Sequence, residues 1–331
     1  MNELNLVIGA NGHLGNNLVR QLQKKGKRVR ASVRNINYKE PFHDLECDIV
    51  YADLLDKDAL LKAIEGVDTI FVAAAVYKSW AKDVQEEIIN VNVEGTRNIM
   101  RVAAKQGVKK IIYVSSTLAL DCTNAPVEET SGWNLNSSDP YTQSKIEAEK
   151  LAWNLAAKYN MALISVIPSA MVGPNCYGHL TPSMEVLSKI LKNKIPFDPC
   201  FNFNYIDIRD AANAMITAAE KGRKGERYIL AQEHSISSTE LFKLAHSLYP
   251  TIKIPKKASY AQLYFAASVM ELISKITRKK PLMLRSQVKQ FSKTDCSYNR
   301  LKARKELGFN PRTPTEALKD AFEYIMAQIK N

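Results

Sequence analysis

The chain opens on apolar runs that alternate with amphipathic stretches. Leu4 to Ala10 is a short apolar strand, and Gly12 to Lys25 follows with Leu14, Leu18 and Leu22 on one helical face before Gly26 ends it. Arg28 to Val33 is the second strand. Further strand-length runs lie at Ile49 to Leu54, Thr69 to Ala75, Lys110 to Ser116 and Ala162 to Ile167, with helical patterns near 57–65, 81–105 and 140–158 between them. Strands alternating with helices predict an α/β fold, a doubly wound parallel sheet covered on both faces. After Pro174 the rhythm breaks at Pro182, Pro196, Pro199, Pro250 and Pro255, which predicts a smaller, mostly helical C-terminal lobe. Tyr205 to Ala231 again reads strand, helix, strand. The expected division is a sheet domain over 1–173, rejoined at about 204–231, and a lobe over 174–203 and 232–331.

Composition narrows the class. With 331 residues, 46% hydrophobic and 24% charged, the chain can bury a sizeable core, which excludes a collagenous, low-complexity or disordered protein. Five scattered cysteines (Cys47, Cys122, Cys176, Cys200, Cys296) form no CxxC pair and no His/Cys cluster at metal-ligand spacing, so they read as reduced thiols and no metal site is expected. Asn2 and Glu3 precede an apolar run that passes straight into a glycine turn instead of a cleavable signal, and no stretch of about 18 apolar residues occurs. A cytoplasmic location is expected. The net charge of +12 is local, because residues 251–305 carry 14 Lys or Arg against Glu271 and Asp295 alone.

Gly9-Ala10-Asn11-Gly12-His13-Leu14-Gly15 falls between the first strand and the first helix. Glycines there permit a tight turn and let backbone approach a pyrophosphate at the helix N-terminus, the arrangement of a Rossmann-type dinucleotide site. The spacing is GxxGxxG, not GxGxxG, so the strand-turn-helix setting carries the assignment. Where an NAD site wants a carboxylate, at the end of the second strand, this chain has Ala31-Ser32-Val33-Arg34. Arg34 can clamp the extra phosphate of NADP through paired charge-assisted hydrogen bonds, so NADP(H) is the expected cofactor and NAD(H) the alternative. The competing reading of Arg34 is a solvated surface arginine.

Tyr141-Thr142-Gln143-Ser144-Lys145 begins a predicted helix, with Asp139 as N-cap and Pro140 at its first position. Four residues apart, Tyr141 and Lys145 share a face, and the ammonium is expected to favour the phenolate. Bringing a phenol from about 10 to near 7 needs roughly 4 kcal/mol of differential stabilisation. The tyrosine is then a usable acid/base. Upstream, Ser115-Ser116-Thr117 offers hydroxyls at the carboxyl edge of the sheet, where open α/β sheets bind ligands; Ser116 and Thr117 can equally cap a turn.

These pieces, with Asp53-Leu54, Ala73-Ala74-Ala75, Asn92-Val93-Glu94-Gly95-Thr96, Pro168-Ser169, Gly173-Pro174 and Tyr205 to Ala211, make nearly the whole chain resemble an extended short-chain dehydrogenase/reductase of the NAD-dependent epimerase/dehydratase family. The resemblance implies Tyr141 as acid/base, Lys145 on the nicotinamide ribose, and Thr117 on the substrate oxygen with Ser116 as the alternative. It implies cofactor contacts at Gly9, Asn11, Gly12, His13, Leu14, Gly15, Arg34, Asp53, Leu54, Ala73, Ala74, Ala75, Asn92, Ser115, Tyr141, Lys145, Pro168, Ser169 and Ala170. Leu118-Ala119-Leu120-Asp121 replaces the Val-Tyr-Gly signature of sugar-nucleotide epimerases. That departure, Arg34 and the run Gly222 to Leu230 resemble the dihydroflavonol-reductase-like branch.

The expected activity is hydride transfer between NADPH and a carbonyl/alcohol small molecule. The alternatives are a nucleotide-sugar epimerase or dehydratase with bound NAD, and a non-catalytic NADP-binding regulator. In the basic stretch Tyr260, Leu263, Ala267, Met270, Ile273 and Ile276 recur at helical spacing before Arg278-Lys279-Lys280. Such a helix is either core of the substrate lobe or a surface for anionic lipid. No recognised nucleic-acid module accompanies the charge, so nucleic acid is not an expected partner; a homodimer is compatible with the sequence.

Overall fold

Seven parallel strands form the central sheet of the computed structural model, which describes residues 3–292 and 296–330. Asn2 and Asp295 lie outside the described residues. The first part of the chain runs β1 (Leu4–Ile8), α1 (His13–Lys24), β2 (Arg28–Val33), β3 (Asp48–Tyr51), α2 (Lys57–Ile64), β4 (Thr69–Val72), α3 (Val91–Lys105), β5 (Lys110–Val114), α4 (Pro140–Lys158) and β6 (Ala162–Pro168). Then come β7 (Ala170–Val172), α5 (Pro182–Leu191), β8 (Asn202–Phe203), β9 (Tyr205–Asp207), α6 (Ile208–Lys221) and β10 (Arg227–Leu230). The chain ends with β11 (Ile236–Ser237), α7 (Ser238–Leu248), α8 (Tyr260–Thr277), α9 (Arg285–Phe291), α10 (Leu301–Leu307) and α11 (Pro314–Lys330).

The strand order is β10-β6-β5-β4-β1-β2-β3. β1 lies between β2 and β4, with Leu4 opposite Arg28 and Asn5 opposite Thr69. The chain winds outward from β1 in both directions, so the carboxyl ends of β1 and β4 flank the topological switch point, where such sheets open a crevice. On one face α1 and α6 bury Leu18, Leu22, Met215 and Ile216 against Val7, Phe71 and Ile112; on the other, α2, α3 and α4 bury Leu60, Met100 and Ala152 against Leu6, Ile70 and Ile111. Each fully buried leucine contributes about 1.5–3 kcal/mol, and Leu18→Ala would leave a cavity costing roughly 2–5 kcal/mol.

Several strands stop earlier than the apolar runs suggest. β1 ends at Ile8 because Gly9 turns the chain with φ +83°, and a Cβ on Gly9 would sit 2.8 Å from the Ala74 Cβ. Ala73 to Ala75 likewise leave the ladder after β4 and line a cavity. The helix expected from residue 81 begins with a π-helical turn at Gln85–Asn90, after Asp83 Oδ1 accepts the Glu86 N–H at 3.0 Å. Of the segment 205–231 only β10 joins the main sheet, beside β6; β9 pairs with β7 in a separate parallel pair.

Beyond the sheet, α5, α7 and α11 share a core of Leu187, Phe242, Leu318 and Phe322, and a smaller cluster joins Phe201 to Leu263, Ala267 and Val288. The tail returns to the sheet at Ala303, Leu307 and Phe309, which pack with α6 and β10. Among the described residues no helix is long and apolar enough to cross a membrane.

Candidate active site

The start of α4 is fixed by its cap. Asp139 Oδ2 accepts the Thr142 N–H and Oγ1–H, both at 2.9 Å, and Pro140 occupies the first helical position. Counting by turns from there puts Tyr141, Lys145 and Glu149 on one buried face. Lys145 Nζ donates to the Val114 carbonyl at the end of β5 and lies 5.1 Å from the Tyr113 ring centroid. Burial lowers its pKa to about 8, with the Glu149 carboxylate pulling the other way.

Tyr141 departs from expectation. Burial, reinforced by Tyr77 and Asp139, pushes its phenol well above 10, and only the hydrogen bond with Ser116 acts in the opposite direction. The shift is thus opposite to that expected from the neighbouring ammonium, because burial dominates it. The phenol therefore holds its proton. The Tyr77 ring packs against it at 4.5 Å, tilted by 39°.

The three hydroxyls after β5 have different partners. Ser115 donates to Glu149. Ser116 caps the turn Thr117–Ala119, accepting the Leu118 N–H at 3.2 Å, and is bonded to Tyr141. Thr117 is bonded to Tyr298. All three line the same cavity, so the structure keeps both Ser116 and Thr117 within the site. Beneath them Glu149, fully buried, also accepts from Ser165 at 2.8 Å, from Trp153 at 3.2 Å, and from Arg227 at 3.0 and 3.1 Å. Every acceptor site of that carboxylate is satisfied, which is what makes a buried charge tolerable.

At the switch point the glycine turn forms a cradle. A Cβ on Gly15 would lie 2.1 Å from the Gly9 carbonyl oxygen, so α1 can start this close to the turn only without a side chain there. Gly12 is the α1 N-cap with no side-chain bond to the helix and no acidic residue in the first turn, leaving the positive end of the helix open to an anion. Gly12, His13, Leu14 and Ala73 to Ala75 line one end of the cavity, together with Ser169, whose buried Oγ has no partner. These features fit a dinucleotide.

His13 lines the cavity but acts as a latch. Its Nε2 lies 3.1 Å from the Gly173 and 2.9 Å from the Pro174 carbonyl oxygen, so that nitrogen must carry the hydrogen. Burial lowers its pKa to about 4.

Other expected contacts sit further off. Asn92 ties Val76 to α4, accepting the Val76 N–H at 2.7 Å and donating to the Val76 carbonyl at 3.1 Å and to Ser144 Oγ at 2.9 Å. Asp53 accepts the Leu55 N–H at 2.8 Å as a turn residue, and Leu54 packs under Gly95. Arg34 is exposed beyond β2 and pairs with no carboxylate among the described residues. Asn11 is half-buried within the turn.

The cavity holds about 2130 Å³, more than the roughly 300–1,000 Å³ of an ordinary ligand pocket. Pro168, Ser169 and Ala170 border its middle, and its outer part is walled by Phe197, Phe201, Phe203, Leu263, Met270 and Met283. Among the described residues lining it are nine lysines against four carboxylates. Sequence reasoning missed Tyr77, Tyr298 and Glu149. Helical spacing from Lys145 could have found Glu149, whereas Tyr77 and Tyr298 lie on irregular segments far apart in the chain.

With that geometry established, comparisons agree on the lineage. The model of the NAD dependent epimerase/dehydratase family matches residues 5–231. A putative dihydroflavonol 4-reductase of Synechocystis sp. is 32% identical over 336 residues, covering 96% of this chain and 93% of its own. Sterol demethylase protein B of Methylococcus capsulatus is 32% identical over 232 residues, 69% of this chain and 70% of its own. The crystal structure of gox2253 superposes with a TM-score of 0.85 at 31% identity, covering 99% of both chains.

Proposed function

We propose that this chain, which belongs to the NAD dependent epimerase/dehydratase family, is an oxidoreductase that reduces a carbonyl on a large apolar substrate with NADPH, Tyr141 supplying the proton. The observation that carries this reading is the buried Tyr141 hydroxyl, bonded to Ser116 in the cavity that Gly12 of the glycine turn and Lys145 also line. The nicotinamide, when bound, supplies the hydride. Gly9, Gly12 and Gly15 with the α1 N-terminus would hold the pyrophosphate, Arg34 the 2′-phosphate, and Pro168 to Ala170 the nicotinamide side.

The chain's own groups handle the proton. Tyr141 keeps its proton in the resting site because burial disfavours the phenolate. Ser116 and Thr117 orient the substrate oxygen within reach of that hydroxyl. As negative charge develops on the oxygen, Tyr141 donates, and the ammonium of Lys145 on the same helical face offsets the resulting phenolate. Glu149 and Val114 hold Lys145 in place.

The lining supports the substrate class. Aromatic and aliphatic side chains suit a bulky carbon skeleton, and the excess of lysines suits an anionic substituent on it. A relative named for dihydroflavonol and another for sterol demethylation accord with large, largely apolar substrates. The test is a panel of bulky ketones and aldehydes, with and without a carboxylate, followed by NADPH absorbance and product chromatography. Stoichiometric formation of alcohol is expected. Inversion of a nucleotide sugar without net cofactor consumption would refute the proposal in favour of an epimerase.

A further inference from the structure

The helix α8 has two apolar flanks where one would be enough to bury it. One flank faces inward: Leu263 and Ala267 are buried, and Leu263, Ala266 and Met270 line the cavity. The other faces water. Phe265, Leu272 and Ile276 are 73%, 62% and 78% exposed, at the i, i+7, i+11 spacing of one helical stripe, with Val269 and Ile273 also exposed beside them. Of the two readings of this helix, core or surface, each describes one part of the apolar pattern: Leu263 and Ala267 face inward, whereas Ile273 and Ile276 emerge from the fold.

Cations gather at one end of the stripe, while Glu271 on the same helix is paired with Arg285. Lys275, Arg278 and Lys279 lie at and just past the end of α8, and none of them forms an ion pair among the described residues. Arg278 adopts a left-handed conformation that turns the chain, so Lys279 and Lys280 lead straight into the exposed Leu282. An apolar stripe from Phe265 to Ile276 with cations at one end matches an anionic interface, apolar side chains in the acyl boundary and cations at the headgroups. α8 does not qualify as a spanning helix. A second copy would bring the same positive lobe against itself, whereas an anionic surface neutralises it.

We propose that the α8 stripe and the Lys275, Arg278 and Lys279 cluster dock this protein on anionic membrane surfaces. The inner flank of α8 lines the cavity, so docking places the cavity wall at the bilayer. This goes beyond the reductase reading and does not depend on it, since its test measures binding without turnover.

The test is flotation of the full chain with vesicles of phosphatidylcholine alone and of an equal mixture with phosphatidylglycerol, at low and high salt. The protein should float with the mixed vesicles at low salt and not with phosphatidylcholine alone. Lys275→Glu/Arg278→Glu/Lys279→Glu should weaken that binding on the order of a hundred-fold. Phe265→Ser/Leu272→Ser/Ile276→Ser should abolish it while circular dichroism and light scattering remain those of the wild type. Absence of flotation by the wild type, or equal flotation by either variant, would overturn the proposal. So would a wild-type dimer in solution that the serine variant converts to a monomer, because the stripe would then be a self-association surface.

Discussion

Lys145 is the residue whose cost to the fold can be measured most cleanly. It is buried against the Val114 carbonyl and the Tyr113 ring, and its pKa falls from 10.5 to about 8. A lowered value on a base means that the unfolded chain binds more protons than the folded one between about pH 8 and 10.5. Stability therefore rises with pH across that window. Below it the charged lysine costs about 3 kcal/mol relative to an unperturbed one; by pH 10 most of that cost has gone. Lys145→Met removes the titration and keeps the length of the side chain. In urea denaturation of the two proteins at intervals from pH 7 to pH 10, the wild type should gain on the variant by about 2–3 kcal/mol. Groups remote from Lys145 titrate alike in both proteins, and the Glu149 carboxylate beside it stays ionised across this window, so the change with pH reports on Lys145. A difference that stays flat over the window would refute the assignment of a desolvated ammonium, and with it the argument that Lys145 is held charged to support Tyr141.

Two further outcomes follow from the site. Arg34→Ala should weaken NADPH binding by about 10- to 100-fold through loss of charge-assisted hydrogen bonds while leaving NADH affinity unchanged, as measured by calorimetric titration; equal affinities for wild type and variant would defeat the NADP assignment. Glu149→Gln leaves the Arg227 guanidinium without its countercharge and turns one of the two oxygens that accept from Ser115 and Ser165 into an NH2 donor, so it should cost about 3–5 kcal/mol in denaturant unfolding, and a loss below 1 kcal/mol would contradict the buried-network account.

Much of this architecture was legible in the chain because periodicity and glycine placement act locally. β2 spans the expected Arg28 to Val33, and α4 begins at Pro140 behind the Asp139 cap. The glycine turn and the Tyr141–Lys145 pair were legible for the same reason. What was not legible depends on contacts between distant segments. The apolar character of Ala73 to Ala75 looks like strand, yet close approach of Gly9 ends the ladder there. The direction of the Tyr141 shift could not be read from a neighbouring lysine, since it is set by burial, Tyr77 and Asp139. The partners of two expected cofactor contacts could not be read either: Asn92 is tied to Val76 and Ser144, and Ser115, which lines the cavity, donates to Glu149. The period of α8 left a core and a surface reading open, and only the packing shows that Leu263 and Ala267 are buried while Ile273 and Ile276 are exposed.

The central claim is that the Tyr141 hydroxyl delivers the proton while hydride passes to the substrate carbon. Single-turnover reduction of a carbonyl substrate by prebound NADPH, compared between wild type and Tyr141→Phe, tests it directly. The account predicts an unchanged NADPH dissociation constant and a turnover rate lower by on the order of 10²- to 10⁴-fold. A Tyr141→Phe protein that reduces the substrate within a few-fold of the wild-type rate would contradict it.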